Sequence, residues 1–362
     1  MHYCNRFKAR VDRWLSFATR HHVKELDLSV KPKCYRTSHY RIPPAVLTSA
    51  SLIVLKLDRL KLEASYSVNL PSITSLSLKD VQMTGKVLQN LMLGCPCLEY
   101  LVIEGCANLS EPKISSLSLK SLKILRASLY SLQVEAVNLE SFECENRFYE
   151  CKLNIDSCKN IRNLSLRSVY PDNEHSLQNM ISGLPVLESL ELVHCKLIDI
   201  KHENLKVFVF KRVYPEHDYG KITVDTPNLV SFSYEDVDSK IRCLMKSPNL
   251  SETNIKINYC GMYTTFNMDW YMNMVDFLSY FDCSKYISLY VYSEQALMFP
   301  AMLRKFCTSP LPKVKHIEIE MDRELRRKSD LGDVFRWLLP STEMLYVEAG
   351  RRRKWQSKSD CQ

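Results

Sequence analysis

The sequence predicts an α/β solenoid in which irregular repeats stack into a horseshoe, with parallel strands on its concave face and helices or loops on its convex face. Three observations carry that expectation. Leu187, Leu190, Leu192, Cys195 and Leu197 of LESLELVHCKL fill every fixed position of L-x-x-L-x-L-x-x-(N/C)-x-L, the signature of a leucine-rich repeat. The centre of that pattern recurs at first-anchor intervals such as 21 residues (Leu52 to Ile73), 25 (Ile73 to Leu98) and 26 (Ile161 to Leu187). These fall inside the roughly 20–29 residues of the class. A doubly wound sheet would need a Gly-rich turn and helices of steady length, whereas the eight glycines here are scattered singly.

Taken in order, residues 1–22 carry Val11, Trp14, Leu15, Phe17 and Ala18 at helical spacing, so a helix is expected to cap the open end of the stack. Residues 23–349 form the solenoid, opening on Val23, Leu26 and Leu28. A basic loop with Lys31, Lys33, Arg36 and Arg41 follows and ends in a Pro pair, which stops regular structure. The L-x-x-L-x-L centre then recurs at Leu52/Leu55/Leu57, Ile73/Leu76/Leu78, Leu98/Leu101/Ile103, Leu122/Leu125, Leu139/Phe142/Cys144 and Ile161/Leu164/Leu166. After Leu187 it returns at Leu205/Phe208/Phe210, Leu229/Phe232/Tyr234, Tyr286/Leu289/Val291, Val314/Ile317/Ile319 and Thr342/Leu345/Val347. Between 247 and 266 two registers compete, one opened by Leu250 with Thr253 at the next apolar anchor, the other Glu252/Ile255/Ile257.

Where intervals allow, apolar residues three and four apart predict convex helices at 85–95, 176–184, 268–281, 294–307 and 330–339. Thr84, Asn267, Ser293 and Asp330 are their N-cap candidates, and Pro300 should bend or interrupt the fourth. The 17 residues from Leu122 to Leu139 leave room for a turn but little helix. Residues 350–362 read as a basic, disordered tail.

Composition narrows the function classes. With 46% hydrophobic and 25% charged residues the chain has the make-up of a folded protein, and its formal charge is +8. Arg6, Lys8, Arg10 and Arg13 open it, while Arg326, Arg327, Lys328 and the run Arg351, Arg352, Arg353, Lys354 lie near its end. Such runs read as solvated faces or tails, so nucleic acid is not the expected partner. A nuclear or nucleic-acid-associated protein using these basic termini is the alternative reading. Fourteen cysteines in a chain whose start lacks an apolar signal core read as reduced thiols of a cytoplasmic or nuclear protein. No run of about 18 apolar residues suggests a membrane span.

Enzyme chemistry announces itself nowhere: G-x-S-x-G, H-E-x-x-H, Walker A and G-x-G-x-x-G patterns are all missing from the sequence. Cys95 and Cys97 form a C-x-C pair, and Cys144, Cys151 and Cys158 are seven apart, neither being the paired C-x-x-C of structural zinc. His194 and Cys195 are neighbours on one strand, so their side chains should face opposite ways. No catalytic residue, metal or cofactor is expected.

VDRWLSFATRHHVKELDLSV at 11–30, CPCLEYLVIEGC at 95–106, LPVLESLELVHC at 184–195 and TPNLVSFSYEDV at 226–237 resemble the leucine-rich region of plant F-box/LRR proteins. The resemblance runs from about Val11 to about Ala349. It implies an RNI-like solenoid and a substrate receptor of an SCF-type (cullin) ubiquitin ligase, in which an N-terminal F-box docks on the ligase adaptor and the repeats hold the protein to be ubiquitinated. No F-box is visible upstream of Val11, so no adaptor-binding residue carries over to this chain. Its partner is then an unidentified target protein.

In a horseshoe the residues that alternate with the core leucines line the concave binding face. That face should include Ser75, Ser77, Tyr100, Val102, Glu143, Ser165, Glu191, Ser233, Tyr290, Tyr292, His316, Glu318 and Tyr346. Tyr brings large area and a polar handle to interfaces, which singles out Tyr290, Tyr292 and Tyr346, although Tyr on strands also follows from β-propensity.

Overall fold

The computed structural model describes residues 2–30, 40–147, 151–169, 174–195, 198–212, 222–237, 243–258, 266–323 and 328–350. Leu197, the loop residues Lys31, Lys33 and Arg36, the pair Arg326 and Arg327, the run Arg351–Lys354 and all of the expected tail beyond Gly350 lie outside them. The chain divides into two units, Met1–Glu188 and Ser189–Gln362.

In the first unit the apolar alternation becomes seven described inner strands: β1 (Glu25–Ser29), β2 (Val54–Asp58), β3 (Ser75–Lys79), β4 (Tyr100–Glu104), β5 (Ser121–Ala127), β6 (Ser141–Asn146) and β7 (Asn163–Arg167). Each pairs in parallel with the next repeat's strand. Because successive side chains on a strand point to opposite faces, every second residue enters the core. Leu55, Leu76, Leu101, Leu122, Phe142 and Leu164 are all buried in one row. Most strands end in a tight left-handed turn, with positive φ at Arg59, Asp80, Gly105, Arg126 and Ser168. At Gly105, where φ is 63°, an added Cβ would stand 2.4 Å from Asp80 Oδ1, so the Asp80 carboxylate would have to shift in addition to the backbone strain.

The second unit repeats the plan with β8 (Ser189–Val193), β9 (Val207–Lys211), β10 (Ser231–Asp236), β11 (Glu252–Ile257), β12 (Tyr286–Val291), β13 (His316–Met321) and β14 (Met344–Ala349), again paired in parallel. Its core changes from leucine to aromatic. Phe208 meets Phe232 at 5.7 Å, Phe210 meets Tyr234 at 6.0 Å, and Tyr234 meets Phe277 of the helix Met268–Ser279 at 5.1 Å. Within the aromatic layer lies a buried ion pair, Arg212 Nη2 to Asp236 Oδ2 at 2.6 Å, with Tyr234 Oη donating to the same oxygen at 2.5 Å.

Repeat length decides what covers the core. Intervals of 25 residues or more hold the helices Gly85–Gly94, Glu174–Ser182, Met268–Ser279, Ala301–Phe306 and Lys328–Leu338. Shorter repeats return through a third element, a short strand. Lys113–Ser115, Ser131–Glu135 and Lys152–Asn154 pair into one small parallel sheet, and Ile198–Lys201, Ile222–Asp225 and Cys243–Lys246 into another. The sequence pattern anticipates the helices and not these strands.

Several expectations need correction. Leu119, not Leu122, opens its repeat: Leu122 pairs with Leu101 and Ile124 with Ile103, while Leu125 faces outward beside Glu104. The 17-residue interval was therefore a phase error. Tyr286 is likewise no anchor; Ile287 and Leu289 occupy the core rows beside Thr253 and Ile255, and buried Ser284 opens the repeat. For the described part of 247–266, the same register decides in favour of Leu250/Thr253/Ile255; residues 259–265 lie outside the described residues. Thr253 fills an apolar position because its Oγ1 meets Ser284 Oγ at 2.7 Å.

At the start, the helix His2–Arg20 buries Leu15, but Trp14 and Phe17 are exposed, with Arg10 5.7 Å from the Trp14 ring and His21 4.0 Å from Phe17. Asn267 caps its helix as expected, accepting from Trp270 N at 2.9 Å. Thr84 and Ser293 occupy cap positions without a side-chain bond. Asp330 lies inside its helix, which begins at Lys328. Pro300 separates a 3-10 turn, Glu294–Leu297, from Ala301–Phe306.

Candidate partner-binding surface

Residues that alternate with the buried rows form the outer face of each sheet, and the strand register decides which of them meet. In the first unit Tyr100 opens β4 at 49% exposure, between Ser75 and Ser121 in register. Charges around it alternate in sign from repeat to repeat: Lys120 Nζ reaches Glu99 at 2.9 Å, Lys123 reaches Glu143 at 2.9 Å and Arg162 reaches Glu188 at 2.8 Å. A groove of about 330 Å³ lies over the starts of β4–β7, lined by Glu99, Leu117, Ser118, Lys120, Asn138, Glu140, Asn160 and Arg162. Its asparagines are structural, since Asn138 and Asn160 donate to the carbonyls of Leu117 and Val137 one repeat back. Ser77, Val102, Glu143 and Ser165 fall on the outer face as expected.

In the second unit Glu191 accepts from Lys211 at 3.1 Å, and Glu235 pairs with Lys256, whose ammonium also lies 5.7 Å from the Tyr290 ring. Ser233 lies between these lysines' strands on the same face. Towards the end of the unit the character changes. Tyr286 stands beside His316, Tyr290 beside Glu320, and Glu318 beside Tyr346. Tyr286 Oη donates to Glu318 Oε2 at 2.6 Å, and this bond, ahead of burial, pushes the phenol up to about 12. Tyr292 lies just beyond its strand, with the Arg323 guanidinium 4.8 Å from its ring and donating to its hydroxyl at 3.2 Å.

Tyr290, Tyr292, His316, Glu318 and Tyr346 thus occur together on one end of one sheet. Tyr346 is 56% exposed, His316 and Glu318 are half-buried, and Tyr290 and Tyr292 are partly covered by the cations above them. Glu191 lies on the same unit's first strand and Tyr100 in the other unit. Sequence reasoning missed Tyr286, which is 41% exposed, because it was counted as a core anchor; its neighbours Ile287, Leu289 and Val291 held the period-2 signal that places it outside.

Most of the described thiols turn inward, Cys97 and Cys283 being exposed. Burial pushes Cys95 and Cys243 up to about 12 and Cys106 to about 11, so they stay protonated at neutral pH and are poor nucleophiles and metal ligands. Cys195 is buried with Sγ 3.7 Å from the Val193 carbonyl, while His194 takes the left-handed turn position at φ 54°. Among the described residues no three His, Cys, Asp or Glu side chains gather as a metal site, and no helix is long and apolar enough to cross a membrane.

A family model described as the LRR repeats of the FBD-associated F-box protein At5g56370 matches residues 11–161. That stretch is similar to the leucine-rich repeats of plant F-box/LRR proteins. Among similar Arabidopsis thaliana proteins, the F-box/LRR-repeat protein At3g28410 is 32% identical over 26% of this chain, covering 21% of its own length. The F-box/FBD/LRR-repeat protein At1g13570 is 23% identical and the F-box/LRR-repeat protein At4g15060 is 26% identical, each over 68% of this chain. The matches span 53% and 58% of those two relatives, so the chain corresponds to part of each. The family match lies within the first unit, agrees with its parallel-strand architecture, and includes two of the four segments that carried the resemblance, 11–30 and 95–106.

Proposed function

We propose that this chain is a non-catalytic protein-binding module that holds a target protein on the outer faces of its strands. In the second unit, Tyr290, Tyr292, His316, Glu318 and Tyr346 are the contact residues, with Glu191 at the margin; in the first, Tyr100 is. The observation that carries this reading is the end of the second sheet, where Tyr286, Met344 and Tyr346 are exposed while every core row beneath them except that of the last strand is sealed. Exposed aromatics and a thioether on a rigid strand layer are what protein interfaces are enriched in. Similarity to F-box/LRR proteins supports a role in recognising the substrate of a cullin-type ubiquitin ligase. Adaptor binding is not assigned to these 362 residues.

A photoreactive side chain placed at Ser288, on the outer face, tests the reading against one placed at exposed Gln295 on a convex 3-10 turn. In plant cells the first should trap one protein species and the second none. Equal trapping from both positions would sink the outer-face assignment.

A further inference from the structure

The partner's chemistry can be read from β12–β14, if the protein-binding reading above holds. Nine residues of these strands alternate onto the outer face: Tyr286, Ser288 and Tyr290, then His316, Glu318 and Glu320, then Met344, Tyr346 and Glu348. Three are carboxylates, three are phenols and none is Lys or Arg, in a chain whose formal charge is +8. Earlier strands of the unit behave differently. There each outer lysine has a carboxylate on the neighbouring strand, Lys211 with Glu191 and Lys256 with Glu235.

The register places Glu320 opposite Glu348 and Glu318 opposite Tyr346, so a cationic side chain laid across β13 and β14 meets carboxylates and a ring face together.

The strand edge adds a second, independent feature. Among the described residues β14 is the last strand of its sheet. The amides of Met344 and Gly350 donate back to Lys315 and Met321 at 3.0 and 3.1 Å. Donors alternate along a parallel strand, so those of Leu345, Val347 and Ala349 point to the opposite edge. Leu345 is 42% exposed, although its row mates Ile317 and Ile287 are 3% and 0% exposed. MLYVEA carries neither the Lys nor the Pro that usually blunts an edge.

We propose that this edge and face dock an extended segment of the partner protein that alternates basic and apolar residues and adds to β14 as a further strand. Its apolar side chains cover Leu345 and Val347, and its Lys or Arg side chains lie over Tyr346 and Glu348. Main-chain pairing supplies affinity and the alternating side chains supply selectivity, as in other strand-addition complexes.

The test uses the full chain and fluorescent octapeptides followed by anisotropy. KVKVKVKV should bind. EVEVEVEV, and KVKVKVKV N-methylated at alternate amides, should each bind at least tenfold more weakly. The double variant Glu318→Gln/Glu320→Gln, checked for an unchanged melting curve, should weaken KVKVKVKV binding at least tenfold. Equal binding of the acidic peptide, or no effect of N-methylation, overturns the proposal; N-methylation acts on the probe and leaves the protein's own folding untouched. A chain ending at Gly350 that binds KVKVKVKV at least tenfold more tightly than the full chain would make residues 351–362 the occupant instead. Dimerisation abolished by Val347→Pro would make it a second copy, also overturning the partner assignment. Trapping from Ser288 without peptide binding removes only the basic-strand chemistry, whereas loss of both removes the protein-binding reading itself.

Discussion

Arg212 and Asp236 face each other from neighbouring strand ends of the second unit, 2.6 Å apart, with 1% and 3% of their side chains exposed. Burial opposes charging of the guanidinium, and the Asp236 carboxylate more than offsets this, holding Arg212 above its ordinary value. Tyr234, fully enclosed beside them, is pushed well up by burial first and by the same carboxylate. Removing one partner of a buried pair strands the other charge. Arg212→Ala should therefore lose about 3–5 kcal/mol in urea unfolding, and Arg212→Met with Asp236→Leu clearly less. A double variant as unstable as the single one would mean that the pair is not an independent lock.

Thr253 and Ser284 test the corrected register. Each buried hydroxyl is the other's partner at 2.7 Å. Thr253→Val alone should cost about 1–3 kcal/mol, because it leaves Ser284 unsatisfied in an apolar row. Adding Ser284→Ala should recover part of that loss. A double-mutant cycle on thermal midpoints reads the coupling, and strict additivity would contradict the contact.

Leu190 and Tyr346 separate scaffold from surface. Leu190 is fully buried, so Leu190→Ala should cost about 2–5 kcal/mol through the cavity it opens. Tyr346→Ala should change stability by no more than about 0.5 kcal/mol and weaken partner trapping from Ser288. Tyr290→Ala should also leave the melting curve nearly unchanged and weaken trapping. If Tyr290→Ala unfolds the protein and Leu190→Ala does not, the inner and outer faces have been exchanged.

The Tyr286 phenol, raised to about 12, gives a pH signature. A folded value above the unfolded one means its contribution is complete below about pH 10 and is lost as pH rises through about 12. Burial also raises other tyrosines, Tyr40 and Tyr234 among them, so the signature is a difference: ultraviolet titration of Glu318→Gln should show one late-ionising tyrosine fewer than wild type, its phenol returned towards 10. Identical titration curves for the two proteins would remove the Tyr286–Glu318 bond.

Local pattern determined much of this protein. Period-2 alternation is a property of a few consecutive residues, so Leu190/Leu192 or Ile317/Ile319 reveal which side chains enter the core without knowledge of their neighbours. Repeat spacing also determined where helices fit, because a helix needs residues that a short interval does not have. What alternation cannot supply is phase across strands. LSLKSLKIL at 117–125 offers leucines in two phases, and only pairing of Leu122 with Leu101 selects one. Tyr286 was misplaced by an even shift of two residues, which left Leu289 and Val291 in the core but took the first outer residue of the strand for the anchor that Ser284 supplies. The pairing of Arg212 with Asp236, the meeting of Thr253 with Ser284 and the gathering of Tyr286, Glu318 and Tyr346 join residues more than 20 positions apart. Stacking of whole repeats creates those neighbours, and tertiary structure alone decided them.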